Sequence, residues 1–192
     1  MEDFLLYFSL GWEHIISVDA ADHQLFILSL LGVSTWKKWK NLLILISCFT
    51  VGHCLTLILA GSGQVRISTY WVELLIPFTI FLTGAYQWKS IYNPGIESRN
   101  NNLFLMAGLF GLIHGLGFAK TLQSILGQHQ SIILPLFGFN LGLEIGQLFV
   151  LAFVLGLQAV LFLIPSFKLQ YWAKAAVALS LFGSGWMMAE RF

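Results

Sequence analysis

The chain has 192 residues, 57% of them hydrophobic, 15% aromatic and only 10% charged, with a mean hydropathy of +0.79. Soluble domains carry about 25% charged residues, so this much apolar surface cannot be hidden in one small core, and the chain reads as an integral membrane protein. A net charge of +1 offers no basic field for nucleic acid, and Cys48 and Cys54, in one apolar run, are expected to pack against neighbours rather than form a disulfide.

A spanning helix needs about 20 mostly apolar residues. In chain order the apolar stretches run over roughly 4–35, 41–61, 70–91, 103–126, 131–163 and 168–189. They predict an all-α, polytopic transmembrane helix bundle of about six helices, with residues 1–192 forming a single transmembrane domain. The first stretch is too long for one span and is interrupted by Glu13, His14, Asp19, Asp22 and His23. A break in it would give seven segments. It has neither the basic n-region nor the small-residue cleavage pattern of a signal peptide. Short loops at 36–40, 62–69, 92–102, 127–130 and 165–167 join the rest, and Asn93-Pro94-Gly95 marks the third as a turn.

Basic residues set the expected orientation. Taken alternately, the loops collect Lys37, Lys38, Lys40, Lys89, Arg99, Lys168 and Lys174 on one side, and Arg66, Lys120 and Arg191 on the other. The positive-inside rule then places both termini outside the cytoplasm. Trp36, Trp39, Trp71 and Trp88 fall near helix ends, where interfacial aromatics belong.

The polar residues inside the spans are the informative ones. His14, His23, His53 and His114 lie in apolar stretches and only His129 sits in a loop, while Glu13, Asp19, Asp22, Glu73 and Glu144 lie in or near spans. An acid at the bilayer centre costs roughly 2.5–3.5 kcal/mol, so several would cost on the order of 10 kcal/mol unless protonated, paired or bound to a cation. In a continuous helix His14 and Asp22 would stand roughly 12 Å apart along the axis. His14 and His23 would point to nearly opposite faces. A shared metal, with ligands about 2 Å away, therefore requires a break around Ser17–Ala21. Thr50, His53 and Thr56 recur at a spacing of three on a broadly shared face, Gly111 and Gly115 form a small-residue contact row beside His114, and Asn140, Glu144 and Gln147 form a polar stripe. Glu73 follows Trp71 and lies nearer the interface.

These motifs resemble those of the HupE/UreJ family of bacterial membrane proteins. The likeness is carried by His14 with Asp22-His23-x-Leu25-Phe26, Phe49-Thr50-x-Gly52-His53-x-Leu55-Thr56-Leu57, Glu73, the run from Phe110 through His114-Gly115-Leu116-Gly117-Phe118-Ala119, and Phe139-Asn140 through Glu144 to Gly146-Gln147. The resemblance implies a six- or seven-helix permease-like protein, regarded as a nickel or cobalt carrier or a metallocentre accessory to hydrogenase or urease. There is a looser likeness to the nickel/cobalt permeases, whose first signature is His-x4-Asp-His. Here seven residues separate His14 from Asp22.

Three functions follow as alternatives. The first is transport or handling of a divalent transition metal (nickel, cobalt or zinc) by His14, Asp22, His23, His53 and His114, with Asp19, Asn140, Glu144, Glu73 and Thr50 in support, since imidazole suits these ions and carboxylates compensate charge. Binding needs neutral imidazoles, so uptake is expected to fall below about pH 6. The second is an intramembrane zinc hydrolase acting on a lipid or membrane peptide, with Glu144 as the catalytic general base on a metal-bound water. The third is a structural subunit with a buried polar network and no metal. The expected partners are the lipid bilayer and a metal ion, with a second copy or an accessory subunit also admitted.

Overall fold

The computed structural model describes residues 2–62, 65, 68–93, 100–125 and 133–191. The expected turn beyond Asn93, the 127–130 loop with His129, and the basic residues Arg66 and Arg99 lie outside the described residues, as does the side chain of Lys120. Among the described residues there is no strand. In lipid every backbone polar group must be satisfied within its own segment, which selects helices.

Among the described residues seven α-helices follow one another: α1 (Glu2–Ile16), α2 (Ala21–Leu31), α3 (Trp39–Gly61), α4 (Thr69–Tyr92), α5 (Asn100–Ile125), α6 (Ile133–Leu161) and α7 (Leu169–Ala189). Short 3-10 turns at Val18–Ala20 and Trp36–Lys38 precede α2 and α3. The segments Trp36–Ala60, Asn102–Ala119 and Ile133–Leu161 are both long and apolar enough to cross a membrane. At 24 and 21 residues, α4 and α7 also have the length of a span. Every long helix turns large apolar side chains outward, among them Val51, Phe81, Leu105, Phe153 and Phe182. In a membrane that surface meets acyl chains. Trp36, Trp39 and Trp71 are likewise exposed, at the starts of their helices.

The first apolar stretch is broken where its polar residues demanded it. Helix α1 ends at Ile16, Ser17 is extended (φ −62°, ψ 157°), and the chain re-enters a helix at Ala21. A break at membrane depth frees carbonyls that lipid cannot satisfy. The side-chain amide of Gln24 meets that need: Nε2 donates to the carbonyls of Ile15 and Ser17 at 3.1 and 3.0 Å, with that of Ile16 at 3.4 Å.

Two helix pairs are pressed backbone to backbone. Helix α3 packs along α5, and α1 along α6. A Cβ on Gly52 would overlap the carbonyl of Gly108, and one on Gly111 the carbonyl of Phe49. The α1–α6 crossing repeats the device, with Gly11 against Phe139 and Gly142 against Phe8. Helix α4 lies against α7, and the short α2 is held among α4, α6 and α7. The result carries His53 and His114 on one tightly joined pair and His14 on the other, with α2 between them.

Candidate metal centre

His14 stands in the last turn of α1 and Asp22 and His23 in the first turn of α2. His53 lies well inside α3 and His114 well inside α5. Nine residues of straight helix would separate His14 from His23 by roughly 13 Å along the axis. Across the break their ring centroids are 4.8 Å apart. The centroid of His23 lies 5.2 Å from that of His114, and His53 stands 6.1 Å from both His14 and His23. His23, His53 and His114 are buried, and His14 is partly buried with its Nε2 enclosed.

Two groups of three potential ligand atoms result, each with its atoms within 4.8 Å of one another: His14 with His23 and His53, and Asp22 with His23 and His114. In a tetrahedral site with metal–nitrogen bonds of about 2.0–2.1 Å, neighbouring ligands stand roughly 3.4 Å apart. Small side-chain movements of about 1 Å would therefore close either group on an ion. His23 belongs to both.

The hydrogen-bond inventory fits a ligand. Asp22 Oδ1 accepts from the backbone N–H of His23 at 2.7 Å and lies 2.8 Å from His23 Nδ1. A carboxylate accepts only, so Nδ1 carries the proton and Nε2 presents its lone pair, the arrangement in which a carboxylate orients a metal-ligating histidine. Nε2 of His14 and of His23, both ring nitrogens of His53 and Nδ1 of His114 are buried without a hydrogen-bond partner. Leaving a buried polar atom unsatisfied costs about 1–3 kcal/mol. Several converging on one spot are what a divalent ion would relieve.

Around these nitrogens the walls are aromatic. Phe118 and Phe139 stack at 4.4 Å beside His14, while Phe49 and Phe26 stand 5.0 and 5.8 Å from His114. The ring of Phe139 also lies parallel to that of His53. The cluster is thus a nitrogen-rich pocket with one carboxylate in an apolar shell. Such a donor set suits nickel, cobalt and zinc and disfavours magnesium and calcium, which take oxygen.

The other sequence candidates lie elsewhere. The Thr50 hydroxyl lies 2.8 Å from Gln147 Oε1 and 3.1 Å from the carbonyl of Ile46, its one proton serving the shorter contact, and Ser47 donates to Glu144 Oε1 at 2.8 Å. These contacts form a separate polar seam between α3 and α6. Asn140 donates to the carbonyl of Leu136. Glu73 is ion-paired with Arg191 at a partly exposed helix end, and Asp19 is exposed in the 3-10 turn. Among the described residues none of Glu144, Glu73 and Asp19 belongs to either ligand group. Cys48 and Cys54 are both free and half-buried, as their spacing suggested.

Sequence reading passes over Gln24 and Thr79, whose hydroxyl lies 3.1 Å from His114 Nε2. Gln24 carries a signal that could have been used, being an amide inside an apolar helix one residue from a candidate ligand. Thr79 carries none, because nothing in the spacing ties residue 79 to residue 114.

The fold and the cluster define a helical membrane protein whose gathered imidazoles and one carboxylate could hold a metal ion. The chain matches the family model described as HupE / UreJ protein over residues 1–190, and it belongs to that family. The family points to nickel or cobalt handling. No curated protein and no solved structure matches the chain.

Proposed function

We propose that the protein carries a divalent transition metal of the nickel/cobalt class across a bacterial cytoplasmic membrane, using His14, Asp22, His23, His53 and His114, with both termini outside the cytoplasm. The observation that supports this reading is the pair of three-ligand groups that share His23. An ion passing from one group to the other keeps one bond while exchanging two, so it never faces the apolar shell undressed. A site built only to hold an ion needs no second group. The oriented Nε2 of His23 is the pivot of the exchange, and the Asp22 carboxylate compensates charge. In the hydrolytic alternative Glu144 would act on a metal-bound water, but that carboxylate is engaged by Ser47 in the α3–α6 seam, so the geometry favours transport.

The test is uptake of Ni2+ or Co2+ into liposomes containing the purified protein. Wild type should load the metal above protein-free vesicles, and His23→Ala, which removes the shared ligand, should fall to the protein-free level. Equal uptake by the two would sink the shared-ligand pathway.

A further inference from the structure

We infer that Thr79 is a positioning residue that fixes His114 as its Nε2–H tautomer, leaving Nδ1 as the only basic nitrogen of that ring. The inference rests on the metal reading for its purpose but on the hydrogen bonds alone for its content. Thr79 is almost completely buried in α4, two residues beyond the helix-interior Pro77, and His114 is equally buried in α5. A threonine hydroxyl has one proton. Here it points to the carbonyl of Ile76 at 2.7 Å, a shorter contact than the 3.1 Å to His114 Nε2. With the proton committed to that carbonyl, the hydroxyl offers His114 only a lone pair, and Nε2 must donate. A neutral imidazole with Nε2 protonated carries its free pair on Nδ1, the atom of His114 that is buried without a partner.

The consequence is an asymmetry within the cluster. His23 is fixed in the opposite sense, since Asp22 holds its Nδ1–H and leaves Nε2 free. A metal shared by the two rings would be bound through Nε2 of His23 and Nδ1 of His114, one ring set by a carboxylate and the other by an uncharged hydroxyl. Outer partners that fix a ligand's tautomer are worth about 10- to 100-fold in metal affinity. Thr79 performs this task without placing a second acid in the membrane, where each acid is costly.

The tautomer can be read directly by 15N NMR of histidine-labelled full-length protein in lipid without metal, the His114 signals being assigned by difference from His114→Ala. Wild type is expected to show His114 protonated on Nε2. Thr79→Val should lose that preference and bind Ni2+ or Zn2+ about 10- to 100-fold more weakly, and Thr79→Ser, which keeps the hydroxyl, should restore both. The inference is overturned by Nδ1 protonation in the wild type, or by Thr79→Val leaving tautomer and affinity unchanged. Reading the wild-type tautomer needs no Thr79 variant to fold. A wild type with the expected tautomer that binds no metal would count against the transport reading while upholding the role of Thr79.

Discussion

A neutral imidazole is compact and basic at one nitrogen, and the cluster gathers four imidazoles with a single carboxylate. Asp22 both accepts the His23 ring proton and supplies the only negative charge within either ligand group. Asp22→Asn keeps the size and one acceptor oxygen but removes the charge. It should weaken Ni2+ or Zn2+ binding about 10- to 100-fold with little loss of folded protein, a combination that isothermal titration and thermal unfolding on one sample would establish. Glu73 supplies the contrast. Its carboxylate is paired with Arg191 at an exposed edge, where such pairs contribute about 0–1 kcal/mol. Glu73→Gln should therefore leave metal affinity within twofold of wild type, and a loss as large as that of Asp22→Asn would place Glu73 in the pathway after all.

At the scale of the helix, the site depends on a break and on two close crossings. Gln24 covers the carbonyls left at the end of α1. Gln24→Leu would strip the amide from the Ile15 carbonyl at a cost of about 1–3 kcal/mol, the Ser17 carbonyl keeping the Ala20 N–H; thermal stability in detergent should fall, His14 should loosen from His23, and affinity should fall as well. Gly111→Ala should be harsher than an ordinary helix substitution. Alanine gains about 1 kcal/mol in helix propensity, but its methyl would meet the Phe49 carbonyl and force α3 from α5. Overpacking costs about 1–3 kcal/mol even against mobile side chains. Unfolding in a denaturant series should show a net loss for Gly111→Ala and none for Gly185→Ala, whose methyl would meet open space. The helices themselves were legible in the sequence because lipid leaves the backbone no other option, and the break was legible because His14 and Asp22-His23 could not otherwise meet. What stayed hidden were the partners across helices. Ser47 and Glu144 are 97 residues apart and Thr79 and His114 are 35, and neither pairing leaves a periodic mark. For the same reason the sequence could give Glu144 a supporting role, or that of general base in the hydrolytic alternative, without naming its partner Ser47 in the α3–α6 seam, and Glu73, expected nearer the interface, has a partner 118 residues away.

For the whole molecule, the bundle's outside and inside are solvents of different kinds. Its long helices face lipid with unbroken apolar side chains, and the polar groups that such a surface excludes are gathered into a pocket walled by Phe26, Phe49, Phe118 and Phe139. The scarcity of charge that first marked the chain as a membrane protein thus has a second meaning. Under the proposed function buried nitrogens would replace charged groups as ligands, so that an ion could be held at depth with one acid rather than several. Whether these nitrogens hold a transition metal is decided by elemental analysis of protein purified in detergent without chelators. Wild type should retain nickel, cobalt or zinc at close to one ion per chain, and His23→Ala and His53→Ala should each lose most of it while remaining folded. A wild type without bound metal, or variants that keep as much metal as the wild type, would contradict the account.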